Sequence, residues 1–185
     1  MKRLVTMLVA VAALSGCAGS VNGTVGGVNM SVSDAIFAVL KNPMGQTVAA
    51  IVVLADKPKV CDSLKANREP KQSTSLSIFL ARYNNDGDPL APDAVEYTVN
   101  NQPTTGGNYS TAFFNRTDAN CTNTLSSDAS TAKSGLVKVT NFKGDSSGSA
   151  NGTFDVTFGG GDKVTGSFNA TFCDISALGL NPNCE

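Results

Sequence analysis

The chain has 185 residues, with 14 basic and 15 acidic side chains, no histidine, no tryptophan and only three tyrosines. A balance so close to neutral, with no Lys/Arg run, excludes a nucleic-acid binder, and the lack of histidine excludes Ser-His-Asp and Cys-His nucleophile systems and every histidine-bearing metal site. Abundant Gly, Ser, Thr and Asn with little Glu point to β-structure and loops rather than helix bundles.

Lys2 and Arg3 open the chain, and Leu4 to Leu14 follow, apolar except for Thr6. That is the length of a secretory h-region, because spanning a bilayer takes about 20 apolar residues. Residues 1–16 therefore read as a signal peptide, whose removal leaves 169 residues, enough for one domain, with a net charge of −3. The segment Leu14-Ser15-Gly16-Cys17 resembles the lipobox of bacterial lipoproteins. This resemblance implies cleavage before Cys17, a diacylglyceryl thioether on its sulfur, and often a third acyl chain on the new amine. One acyl chain anchors marginally, at about 0.8 kcal/mol per buried CH₂, whereas two or three hold a protein firmly. Ala18 stands where an aspartate is the usual inner-membrane retention signal of enteric-type sorting. The resemblance thus implies a lipid-anchored cell-envelope protein, in the outer membrane if the cell is Gram-negative. Residues 17–27, rich in Gly, Ser and Asn, read as a lipidated tether, leaving 28–185 as one disulfide-stapled β-domain.

A short strand at Val28–Val32 is expected to open the domain. Ala35 to Leu40 and Thr47 to Ala55 form a hairpin around Asn42-Pro43-Met44-Gly45, whose order matches a type I turn. Val48 to Leu54 has no polar break, so this strand is apolar on both faces, must be covered on both, and is expected to be central. A short helix follows, with Asp56 as its N-cap, Pro58 in the first turn, and Val60, Cys61 and Leu64 on one packing face. Asn67 and Pro70 end it. Further strands are expected at Ser75–Tyr83, Val95–Val99, Tyr109–Asn115 and Gly135–Phe142, with turn signals between them.

The clearest element is a C-terminal hairpin. Gly152-Thr153-Phe154-Asp155-Val156-Thr157-Phe158 is echoed by Gly166-Ser167-Phe168-Asn169-Ala170-Thr171-Phe172, with apolar and polar residues alternating in both. Both apolar sets are even-numbered, so they share a face only if paired positions sum to an even number. A five-residue loop from Gly159 to Lys163 would place Phe158 opposite Val164, Val156 opposite Gly166 and Phe154 opposite Phe168. The glycine-rich loop is a turn, because no helix pattern or Lys-Ser/Thr follows it to bind phosphate.

With Cys17 carrying lipid, Cys61, Cys121, Cys173 and Cys184 remain, and an even number in an exported chain reads as two disulfides. Four cysteines allow three pairings, and sequence does not choose among them; we lean to Cys173–Cys184, stapling the tail, with Cys61–Cys121. A Cys₄ zinc site lacks a CxxC pair to begin it. The sum of these elements is a mainly β fold, an antiparallel β-sandwich or partly closed barrel of eight to nine strands with one short helix.

Candidate chemistry is sparse. Asn84-Asn85-Asp86-Gly87-Asp88, with Asp93, spaces oxygens two apart as calcium loops do, but Gly87 and Val95 stand at the wrong positions for an EF-hand and a hairpin turn explains the segment better. Ser130-Thr131-Ala132-Lys133 matches the S-x-x-K of penicillin-recognising serine enzymes, without their partner motifs and at a frequency chance supplies. Asp155 lies on a wet strand face with no second carboxylate opposite. Sugar-binding platforms would have to come from Tyr83, Tyr97 and Tyr109, and Phe113 and Phe114 must point to opposite sides of their strand, leaving one exposed if that strand is at an edge. No catalytic, cofactor-binding or metal-ligating set emerges. The expected role is non-catalytic binding or structure, with a membrane contacted through the lipid, a possible envelope protein partner and no nucleic acid. A carrier of a small apolar ligand in a barrel interior is the alternative, and a histidine-independent hydrolase ranks last.

Overall fold

The computed structural model describes residues 18–99, 106–175 and 183–184; the leader and Cys17 lie outside them. In chain order the strands are β1 (Gly19–Asn22), β2 (Asp34–Lys41), β3 (Thr47–Ala55), β4 (Arg68–Glu69), β5 (Thr74–Tyr83), β6 (Pro89–Leu90) and β7 (Glu96–Val99). They continue with β8 (Gly107–Arg116), β9 (Ala132–Phe142), β10 (Ser149–Phe158), β11 (Lys163–Phe172) and β12 (Asn183–Cys184). Helix α1 (Val60–Lys65) follows β3, and α2 (Ser127–Ser130) precedes β9.

Eight strands form a ring in the order β2-β3-β5-β8-β7-β9-β10-β11. The ring is closed by a parallel contact in which Thr171 lies beside Ile36 and Phe172 beside Phe37. Of the two architectures compatible with the sequence the fold is therefore the barrel, and it is fully closed. Closure gives each long strand a neighbour on both sides along at least part of its length, which limits the edge open to another chain. Strand β7 also pairs in parallel with β8, and a two-residue parallel pair, β4 with β12, lies outside the ring. Neither the second helix nor these short outlying strands had a sequence signal strong enough to be expected.

Alternation on the long strands fills the interior. Phe37, Leu54, Leu76, Ile78, Leu80, Phe114, Val137, Phe154, Val156, Phe158 and Phe168 form one cluster with Tyr97. Edge-on ring contacts at centroid separations of 5.4 Å (Phe37–Phe142), 5.5 Å (Phe37–Phe172) and 6.1 Å (Phe114–Phe158) run through it. Such pairs add to the stabilisation from area burial alone.

The C-terminal hairpin has the expected parity and the expected inward face, but its register is displaced by two residues. Phe154 lies opposite Gly166, Gly152 opposite Phe168, and Val156 opposite Val164. The physical reason is steric. A Cβ on Gly166 would lie 2.5 Å from Cζ of Phe154, and one on Gly152 would lie 2.5 Å from Cζ of Phe168. Each phenylalanine ring thus covers the glycine facing it, whereas the expected register would have set the two rings against each other. The Asn42–Gly45 turn forms as expected: Asn42 Oδ1 accepts from the backbone N–H of Met44 and of Gln46, each at 3.0 Å.

Three expectations near the N-terminus are corrected. Val28–Val32 is not a strand. The first strand is instead Gly19–Asn22, within the segment read as a tether, and it pairs antiparallel with Phe168–Thr165 of β11. The backbone reason is that β2 meets β11 only at its last two residues, so the earlier half of that edge is open to β1. The following segment crosses the barrel end near the β10–β11 loop, where Gly26 N–H donates to Asp162 Oδ2 at 2.7 Å and Val25 and Met30 join the core. Helix α1 is not capped by Asp56, whose carboxylate accepts from Thr74 N–H at 2.9 Å. Its N-terminus is satisfied by Asp34 from β2, which accepts from Val60 N–H at 2.8 Å.

The disulfides are Cys61–Cys173 and Cys121–Cys184, which corrects the pairing favoured above. Topology explains both. The parallel closure carries β11 alongside β2, where Cys173 N–H donates to Phe37 O at 2.7 Å, and the residue leaves the barrel against α1. There Ile36, Ala55, Val60 and Cys173 form a second apolar cluster outside the barrel, packed with Cys61 and Leu64. Cys184, paired along β4, reaches Cys121 rather than its sequence neighbour.

Candidate functional site

Each residue singled out for chemistry is engaged in structure. Ser130 is 6% exposed, and its hydroxyl donates to Ser127 O at 3.2 Å. Lys133 forms an ion pair with Asp128 at 2.9 Å, so serine and lysine each have another partner. Asp155, on the exposed face of β10, pairs with Lys163 at 3.0 Å. Asn84 Oδ1 accepts from the N–H groups of Asp86 (3.0 Å) and Asp88 (2.8 Å), closing a turn between β5 and β6. Among the described residues, no cluster of three or more Cys, Asp and Glu side chains is arranged to hold a metal ion.

Tyr97 is not a ligand platform. Its ring is buried in the barrel, and its hydroxyl accepts from Asp93 N–H at 2.9 Å while donating to Asp93 O at 3.0 Å. Burial pushes its pKa above the usual 10.0, an effect partly offset by the bond to Asp93. Tyr83 and Tyr109 stack obliquely on each other, and the Tyr109 hydroxyl donates to Gly106 O at 2.7 Å. Phe114 points inward, whereas Phe113 is 40% exposed.

What the structure brings together is an asymmetry around the barrel wall. Outward residues of β9, β10 and β11 are mostly polar, with Lys138, Thr140, Thr153, Asp155, Asn169 and Thr171 exposed, although Leu136 of β9 is an outward apolar residue and is 44% exposed. Outward residues of β2 and β3 are apolar, from the buried Ile36 and Ala38 to the half-buried Ile51 and Val53, while β5 presents Phe79 and Ala81 at one end of its outer face and Ser75 and Ser77 at the other. The sequence required both faces of β3 to be covered. On the outer face this holds at the two ends of the strand: α1 and its disulfide cover Ala55, and β6 lies against the strand at the other end.

Between these covers runs an open groove of about 330 Å³. It is lined by Ile36, Ala38, Ile51 and Val53 of the barrel wall, by Ser75 and Ser77 of β5, and by Val60 and Leu64 of α1. A second hollow, of about 650 Å³ and more polar, lies where Leu40, Lys41, Asp145 and Asp174 converge. The groove was missed because the apolar run of β3 announces a need for cover without saying what provides it. Comparison of the chain with known protein families, with curated proteins and with solved structures finds no match.

Proposed function

We propose that this is a lipid-anchored protein of the cell envelope whose closed barrel has a non-catalytic binding or structural role. The location rests on the basic start, the apolar run and the Leu14-Ser15-Gly16-Cys17 motif, which also support the outer membrane as its site, since Ala18 replaces the aspartate of retained proteins. The observation that carries the role is the apolar groove on the outer wall of β2 and β3, in which Ile36 and Ala38 are buried and Ile51 and Val53 are half-buried, on a barrel whose main cluster includes six aromatic side chains. A carrier would hold its ligand inside the barrel, where Phe37, Tyr97, Phe114, Phe154, Phe158 and Phe168 are buried together in one cluster. A hydrolase would use Ser130 or Asp155, and both are engaged as described.

The test is Cys17→Ser in the native host. The expected result is loss of processing and of membrane retention, with the domain still disulfide-bonded. Processing and retention like wild type would refute the anchor. In-cell crosslinking of the lipidated protein, followed by mass spectrometry, is expected to return an envelope component, and a clean negative would favour a purely structural role.

A further inference from the structure

We infer that the apolar wall of β2 and β3 lies against the lipid surface that holds the anchor, so that the barrel rests on its side on the membrane. This rests on the lipid-anchor reading of Cys17. Part of the segment expected to be a tether is instead a strand of the fold, β1. Ala18 O accepts from Asn169 N–H at 2.8 Å, so the folded barrel begins one residue after the lipid-bearing cysteine. Asn169 and Thr171 are two positions apart on β11, and Thr171 lies beside Ile36, which lines the groove. Backbone spacings of about 3.3 Å along a strand therefore put Ala18, the first described residue, within about 10 Å of Ile36.

The chain thus leaves the barrel at the seam between its polar wall, ending with β11, and its apolar wall, beginning with β2. With no linker, the part of the barrel around this seam is held at headgroup depth. Facing the polar wall to the bilayer would desolvate Asn169, Thr171 and Asp155, whereas facing the apolar wall removes Ile51, Val53 and Leu64 from water. Charge favours the same choice. Between residues 56 and 71 there are five basic side chains (Lys57, Lys59, Lys65, Arg68, Lys71) and three acidic ones, in a chain that is slightly acidic as a whole. Two of the basic residues, Lys57 and Arg68, line the groove, although Glu69 does so too. Two basic side chains against one acidic one beside an apolar strip match an interface of anionic headgroups over acyl chains.

The absence of tryptophan provides a clean optical test. Single reporters are placed in the groove (Ile51→Trp, and Ser77→Trp in case the first fails to fold) and on the polar wall (Thr153→Trp). Each full-length, natively lipidated protein is reconstituted into phosphatidylethanolamine–phosphatidylglycerol vesicles with or without brominated acyl chains, and flotation is measured first. The inference expects co-flotation, with a blue shift and loss of emission by bromine quenching at Ile51→Trp or Ser77→Trp and neither at Thr153→Trp. Co-flotation with groove reporters quenched no more than Thr153→Trp would overturn the inference and leave the anchor standing. A blue shift without quenching would overturn it in favour of a second protein copy covering the groove. Failure to float would reject the anchor itself, and the inference with it.

Discussion

Replacing Gly166 by alanine probes the feature that sets the hairpin register. The new Cβ would lie 2.5 Å from Cζ of Phe154 and 2.0 Å from the carbonyl oxygen of Ser20 in β1. Neither approach is tolerable, so the ring must leave its seat and β1 must shift away from β11. Overpacking of this kind costs about 1–3 kcal/mol, and the backbone contact places this case toward the upper end. For a domain of this size each kcal/mol moves the midpoint by roughly 2–4 °C, so a fall of about 4–10 °C is expected in thermal unfolding followed by circular dichroism. Gly160→Ala is the control. Its only near neighbour is Asp162 Oδ2 at 3.8 Å, so it is expected to leave the midpoint unchanged or to raise it slightly by restricting the unfolded chain. If Gly166→Ala were as harmless as Gly160→Ala, the steric account of the register would be wrong.

Tyr97→Phe removes the hydroxyl that binds both backbone groups of Asp93, and is expected to cost about 1–3 kcal/mol at neutral pH by chemical denaturation. The same pair of proteins tests its ionisation. Because the folded-state pKa lies above the unfolded value of 10.0, the folded protein retains a proton that the unfolded chain releases, so wild-type stability falls as pH rises through and beyond 10. Tyr97→Phe should show a shallower fall, and parallel curves would contradict the burial argument. Removing Cys61 and Cys173 together is expected to cost about 2–5 kcal/mol through the 112-residue separation they bridge. The Cys121–Cys184 pair bridges 63 residues and should cost somewhat less, because it supports no apolar cluster of its own; equal or reversed losses in urea unfolding would count against that distinction.

Local pattern was legible wherever the chain alternates or turns with a distinctive residue. The strands from Thr47 to Ala55 and from Ser75 to Tyr83 stand within one residue of expectation, as does the Asn42 turn. Parity alone sorted Phe154, Val156, Phe168 and Ala170 onto one inward face. Register was not legible, because parity allows steps of two and only three-dimensional contact shows that each ring needs a glycine beneath it. The disulfide partners were hidden for a similar reason. Cys173 meets Cys61 through the β11–β2 closure, a pairing between strands more than a hundred residues apart that no local signal records. Strand β1 was hidden by composition, since Gly, Ser and Asn read as linker until an open edge of β11 is available to satisfy their backbone groups. The apolar outer wall was half visible, in the unbroken run of β3, but its openness depends on where α1 and β6 come to lie.

The most direct test of the central claim is the intact mass of the protein purified from its native membrane in detergent, with the N-terminal peptide sequenced by fragmentation. The expected result is a chain beginning at Cys17, heavier by a diacylglyceryl group or by that group and a third acyl chain, with the four remaining cysteines paired. A chain retaining residues 1–16, or one beginning elsewhere with an unmodified Cys17 thiol, would contradict it.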